Sequence, residues 1–125
     1  MADRCVLTPS AEHPITIVPN PARVIVRVGD RVIADTSHAL TLREANYPAV
    51  QYIPREDANL AQFRRSYHSS YCPYKGDASY FDLEPLGQRG VNAVWTYETP
   101  HPAVDLIAGH LAFYPDRVSI EERIE

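Results

Sequence analysis

Residues 23–35 read Arg23-Val24-Ile25-Val26-Arg27-Val28-Gly29-Asp30-Arg31-Val32-Ile33-Ala34-Asp35 and carry the strongest structural signal in the chain. Two runs rich in β-branched residues flank Gly29-Asp30, a dipeptide that suits the type I′ or II′ turn of a two-residue hairpin. The valines of the first run alternate with Arg23 and Arg27, so one face is apolar and the other is wet. We predict an antiparallel β-hairpin here.

The rest of the chain repeats this pattern of short apolar segments between turn residues. Strands are predicted over residues 15–18, 39–43, 49–53, 78–83 and 91–97, and a last hairpin over 110–120. Residues 54–63 resemble the start of a short helix because their acidic residues come early, and a helical turn is predicted over 103–108. About eight short strands with one or two helical turns indicate an all-β, mainly antiparallel fold.

The composition indicates one folded domain. The chain has 125 residues, of which 45% are hydrophobic and 22% charged, values that are ordinary for a globular protein. We place the domain at residues 14–121, between a polar leader (1–13) and a charged tail (122–125). Lys and Arg total 12 against 16 Asp and Glu, a net charge of -4 without a basic stripe. We therefore expect no nucleic-acid partner.

Several classes of protein are excluded by missing motifs. No segment reaches the ~18 apolar residues of a membrane span, and the N-terminus lacks a signal-peptide pattern, so we expect a cytoplasmic protein with no membrane partner. The two cysteines, Cys5 and Cys72, are too few for a four-cysteine zinc site, and we expect free thiols and no metal. Glycine-rich phosphate loops and the Gly-x-Ser-x-Gly pattern of hydrolases are also missing, so no cofactor is expected.

The candidate catalytic residues lie in the segment Cys72-Pro73-Tyr74-Lys75-Gly76-Asp77-Ala78-Ser79-Tyr80. Pro73 presets its own φ, and Gly76 is free to adopt the positive φ that closes a turn. An ammonium group near a thiol favours the nucleophilic thiolate, so Cys72 and Lys75 are a candidate reactive pair. A plainer interpretation is commoner in proteins, namely a buried structural Cys72 and a solvated Lys75.

The candidate ligand-binding residues are aromatic side chains on predicted strands, together with one histidine. They are Tyr52, Tyr80, Trp95, Tyr97, Tyr114 and His110. A phenol combines an apolar face with a hydroxyl, which suits a semi-polar pocket, but the same rings would also line a core edge with hydroxyls in water. His110 or His68 would serve as a base for Cys72 only if the fold brought them together, and a structural role is commoner for each histidine alone.

Six segments together resemble the bacterial family called domain of unknown function 427. They are Arg23–Val26 with Ile33–Thr36, Tyr52–Asp57, Cys72–Tyr80, Trp95–Tyr97 and Gly109–Tyr114. The likeness extends from about Asn20 to Ile120, and the Cys-Pro-Tyr-Lys-Gly element is its most distinctive part.

The resemblance implies a fold and limits the chemistry. It implies the β-tent or Mss4-like architecture of methionine sulfoxide reductase B, Yippee and the ligand-binding domain of cereblon, in which two sheets open a pocket. Many relatives bind zinc through two Cys-x-x-Cys pairs, which this chain lacks, so the metal is not carried over. A nucleotidyltransferase label is attached to the family, but no residue here supports it. Tyr67 and Tyr71 stand where Asp and His are expected in close relatives, so if these positions belong to a site, its acid–base chemistry is altered or absent here.

Three hypotheses about function follow. The first is a domain that binds a small molecule through Tyr52, Cys72, Lys75, Tyr80, Trp95 and Tyr97, with Lys75 facing an anionic or carbonyl group. The second is a thiol enzyme that uses Cys72. The third is a structural module that self-associates through an edge strand.

Overall fold

Three antiparallel sheets make up the computed structural model, which describes residues 5–124. The strands are β1 (Ile15–Pro19), β2 (Arg23–Val28), β3 (Arg31–Thr36), β4 (Leu40–Glu44), β5 (Val50–Tyr52), β6 (Phe63–Cys72), β7 (Gly76–Leu83), β8 (Val94–Thr96), β9 (Leu111–Phe113) and β10 (Ser119–Arg123). The strand orders are β1-β4-β5, β10-β2-β3 and β6-β7-β8-β9. The predicted all-β class is confirmed, with ten strands rather than about eight.

The hairpin at residues 23–35 is confirmed. Val28 pairs with Arg31 across a two-residue turn, and Gly29 adopts a φ of +59°, the positive value that both predicted turn types require there. On the outer face Arg23 Nε donates to Asp35 Oδ1 at 2.8 Å. Ile25 lies on the same face but is buried, so this face is exposed to solvent only in part.

The predicted last hairpin is wrong. β9 pairs with β8, whereas β10 crosses to another sheet and pairs with β2, for example Ile120 with Val26. The alternation of apolar residues identifies a strand and its buried face, but it carries no information about which strand is the partner. The turn residues between 114 and 118 therefore mark a crossover between sheets.

The helical segments differ from the prediction in type and in number, because the structure has four 3-10 segments. Residues 54–63 do not begin an α-helix, but form two 3-10 segments, Arg55–Asp57 and Leu60–Gln62. Such three-residue runs are too short for the costly nucleation of an α-helix, and 3-10 turns are used as connectors instead. The turn predicted over 103–108 exists as the 3-10 segment Pro102–Ile107, and Glu84–Gly90 forms a fourth.

The core consists of two clusters that meet where the sheets join. Ile53 and Leu111 exchange two backbone hydrogen bonds of 2.8 Å, which connect the end of β5 to the start of β9. The first cluster lies around β2, β3, β8 and β9, and the second lies between the sheet of β1, β4 and β5 and the sheet of β6 to β9. The second cluster is rich in tyrosine and borders the candidate site.

Within residues 5–124, no helical segment has the length and hydropathy that crossing a bilayer requires.

Candidate functional site

The turn between β6 and β7 has the predicted conformation. Cys72 pairs with Gly76, and the Lys75 N–H donates to the Cys72 carbonyl at 3.2 Å. Gly76 adopts a φ of +109°, and a Cβ built on it would lie 3.4 Å from the backbone nitrogen of His101. A side chain there would be strained in conformation and crowded, so glycine is needed to place Lys75.

Lys75 points inward from this turn. Its residue is only 9% exposed, so it is not the solvated turn lysine of the plainer interpretation. The Nζ atom donates to Oε1 of Glu44, the last residue of β4, and both side chains are largely buried. The turn therefore supplies an ammonium group that already has a carboxylate beside it.

Glu44 also binds a residue from the segment before β1. His13 Nε2 lies 2.7 Å from Oε2 of Glu44, and the His13 ring stacks on Tyr74 at 3.9 Å. Burial acts to raise the pKa of Glu44, but hydrogen bonds from Lys75 and His13 outweigh it and lower the pKa below its usual value. Glu44 is thus ionised at neutral pH.

Glu44 was missed in the sequence, although a signal for it exists. In a strand every second residue shares a face, and Leu40, Leu42 and Glu44 follow that spacing in β4. A carboxylate on the face of a buried leucine has to find a partner. The partners His13 and Lys75, however, are 31 residues away on either side, and only the fold shows them.

A cavity of about 190 Å³ opens beside the ion pair. Its walls come from β4 and β5 on one side and from β7 and β8 on the other. The lining residues are Leu42, Glu44, Tyr47, Pro48, Val50, Tyr52, Lys75, Tyr80, Trp95, Tyr97 and Tyr114. The structure thus brings Lys75 together with all five aromatic residues predicted from the strands.

The aromatic side chains are held by one another and by the sheet. Trp95 Nε1 donates to the Tyr52 hydroxyl at 3.2 Å, and the two rings meet edge to face. The Trp95 ring also lies 4.6 Å from that of Tyr114, and the Tyr80 hydroxyl is 2.8 Å from Ser70 Oγ. Tyr52, Tyr80 and Tyr97 are buried, so their rings do not merely edge the core with hydroxyls in water.

Two of the predicted site residues lie elsewhere. Cys72 is half-buried against the second core cluster, is not among the residues that line the cavity, and its sulfur has no hydrogen-bond partner within residues 5–124. His110 lines a separate surface depression with Arg55 and Glu98. The structure therefore does not bring His110 to the ring of tyrosines with which it was grouped.

The remaining candidates also lie outside the cavity lining. The His68 ring packs 4.5 Å from the ring of Tyr80. Tyr67 is exposed, and the Tyr71 hydroxyl donates to the Cys5 carbonyl at 2.6 Å and lies 3.1 Å from Nε2 of His101. Across the described residues, no three His, Cys, Asp or Glu side chains are grouped so that they could hold a metal ion.

The phenols of the cavity predict a loss of stability at alkaline pH. Burial raises the pKa of Tyr52, Tyr97 and Tyr114 above the usual value. Because the folded pKa exceeds the unfolded one, the stabilisation is complete below pH about 10 and is lost as the pH rises further. Absorbance of tyrosinate and circular dichroism, measured over one pH titration, will show the buried Tyr52 and Tyr97 ionising only as the fold is lost.

A denaturant-unfolded sample is the control for that titration. We expect all eight tyrosines to ionise there in one transition near pH ~10. Complete ionisation of the native protein with unchanged circular dichroism would contradict the prediction.

The fold and the site define an all-β domain with an aromatic pocket that carries a buried ion pair. The model of a family described as a domain of unknown function (DUF427) matches residues 16–123, so the chain belongs to this family, as the resemblance implied. None of the curated proteins is similar enough to the chain to count as a relative.

Proposed function

We propose that this protein binds a small molecule in the cavity between β4–β5 and β7–β8. The observation that carries the proposal is the convergence of a buried ion pair and six aromatic rings on one void. Protein interiors are close-packed and mostly apolar, and desolvating a lysine and a glutamate is costly. A void with polar groups at its wall fits a binding site better than it fits a core.

The size of the cavity indicates a small ligand. Its volume of about 190 Å³ is smaller than the ~300–1,000 Å³ of pockets that hold drug-sized molecules. Aromatic faces and the side chains of Leu42 and Val50 would contact a flat apolar body, while Lys75 and the hydroxyls would fix its orientation. A ligand with about one ring matches these walls.

Two further proposals concern the architecture of the domain and the compartment of the protein. The walls of the cavity belong to two different sheets, as expected for a β-tent domain, so we assign this architecture to the chain. We also place the protein in the cytoplasm, where the free thiols of Cys5 and Cys72 would stay reduced.

A fragment screen tests the proposed function directly, because Trp95 is the only tryptophan in the chain and lines the cavity. We expect single-ring fragments to change the fluorescence of Trp95 and to raise the melting temperature. Val50→Phe, which puts bulk into the cavity, should abolish both effects. Val18→Phe is the matched control, because Val18 is exposed on β1 and lies outside this cavity.

The proposal fails if no fragment changes the fluorescence or the melting temperature. It also fails if the responses of the Val50→Phe and Val18→Phe variants to the fragments that bind are the same, because the fragments would then bind outside the cavity.

A further inference from the structure

Tyr97 carries a hydroxyl that makes no hydrogen bond within the described residues. The residue is only 6% exposed and lines the cavity, yet its hydroxyl makes no hydrogen bond to any residue between 5 and 124. No fully buried side-chain polar atom of the described residues lacks a partner, so the Tyr97 hydroxyl keeps accessible surface, and the residue lines the cavity. Burial also raises the pKa of Tyr97, so the hydroxyl keeps its proton and is able to donate it. The hydroxyl is therefore available to donate to an acceptor inside the cavity.

Two neighbouring groups have donors to spare as well. Lys75 carries three N–H donors, and Glu44 is its one partner in the described part of the chain. The Tyr52 hydroxyl accepts from Trp95, which leaves its own proton free for another acceptor. The oxygens of Glu44 are already engaged by Lys75 and His13. The cavity therefore presents an excess of hydrogen-bond donors.

The charges at the cavity balance. Glu44 and Lys75 form an ion pair, and the other lining side chains are uncharged. An anion would add a second negative charge beside Glu44, and a cation would meet Lys75 even though the aromatic faces attract it. Either would bring an unbalanced charge into a largely desolvated space. An uncharged ligand with an acceptor oxygen uses the spare donors without that cost.

We propose that the cavity binds an uncharged, single-ring molecule whose carbonyl oxygen, of the amide or ketone class, accepts a hydrogen bond from Tyr97. This inference rests on the proposed function and narrows its ligand to one chemical class. It also replaces the anionic alternative considered for Lys75, because that charge is already balanced by Glu44.

Three probes with the same ring test the ligand class. They are benzamide, which is neutral and carries a carbonyl acceptor, benzoate, which is anionic, and benzylamine, which is cationic at neutral pH. Titrations that follow Trp95 fluorescence should show benzamide binding about tenfold more tightly than either charged probe. Tyr97→Phe should weaken benzamide binding about fivefold, the loss of one hydrogen bond. Tyr67→Phe is the matched control, because Tyr67 is exposed on β6 and does not line the cavity, and it should leave the affinity unchanged.

Thermal unfolding of the unliganded variants provides a second measurement. Tyr97→Phe should leave the melting temperature unchanged or raise it, because no hydrogen bond within the protein is lost. A clear decrease would show that Tyr97 has a structural partner and would overturn the inference.

The binding results separate this inference from the proposed function. If benzoate or benzylamine binds as tightly as benzamide, the ligand class is wrong but the pocket stands. If the three probes do not change the Trp95 fluorescence while other fragments do, the ligand class is again wrong and the pocket stands. If probes and fragments are all silent, both proposals are overturned.

Discussion

Replacing Lys75 with methionine is expected to lower the free energy of unfolding by about 3 kcal/mol, because it leaves the carboxylate of Glu44 buried without its cation. The two side chains are only 11% and 12% exposed, so water cannot take the place of the ammonium group without rearrangement. Methionine keeps most of the volume and apolar length of lysine, so the loss reports the charge. Denaturant unfolding followed by circular dichroism measures it.

The double variant Lys75→Met with Glu44→Gln is the control for this prediction. Removing both charges removes the buried carboxylate that has lost its lysine, so the double variant should be more stable than Lys75→Met alone. Equal stabilities of the single and double variants would contradict the assignment of the loss to Glu44.

The pH dependence provides an independent check on the same pair. The pKa of Glu44 is lowered in the folded protein, so the ionised carboxylate stabilises the fold above the usual value of 4.5 and loses this effect as the pH falls through the lowered value. In the Lys75→Met variant, protonation of Glu44 removes the buried negative charge that has lost its lysine. The stability difference between the wild type and the variant should therefore shrink as the medium becomes acidic.

Local features of the fold were predictable because they depend on short-range chemistry. The hairpin at 23–35 follows from β-branched runs around Gly29-Asp30, and the turn at Lys75 follows from Pro73 and a glycine that adopts positive φ. The strand positions of Tyr52, Tyr80 and Trp95 were predictable as well. Each of these features depends on residues that are neighbours in the chain, whereas the convergence of the aromatic side chains on one cavity does not, and the sequence left open whether they line a pocket or a core edge.

The features that the sequence did not predict are those that depend on which strands pair with each other. The pairing of β10 with β2, rather than with β9, joins residues that are far apart in the chain, such as Arg123 and Arg23. The ion pair between Lys75 and Glu44 requires contact between the β6–β7 turn and β4, and the sequence does not reveal that contact. The position of His110 was unpredictable for the same reason. His110 directly precedes β9, and the fold places it in a depression with Arg55 and Glu98 rather than at the cavity. Periodicity gives the buried face of a strand but not its neighbour.

Leu111 lies where two sheets are joined, and its truncation is expected to cause the second large loss of stability. Leu111→Ala should lower the free energy of unfolding by about 3–4 kcal/mol, because the side chain is fully buried and its removal leaves a void in the first core cluster. The residue begins β9, and its backbone is hydrogen-bonded to Ile53, which follows Tyr52. Loss of packing here should therefore loosen the cavity wall as well as the core.

Leu106→Ala is the matched control, because Leu106 is 65% exposed on the nearby 3-10 segment and its truncation should cost less than about 0.5 kcal/mol. Urea unfolding followed by Trp95 fluorescence measures both variants, and Trp95 reports on the cavity at the same time. Comparable losses for the two leucines would show that Leu111 does not hold the sheets together. An altered native fluorescence in Leu111→Ala alone would show that the cavity depends on this connection, because Ala112, the next residue of β9, is the direct pairing partner of Trp95.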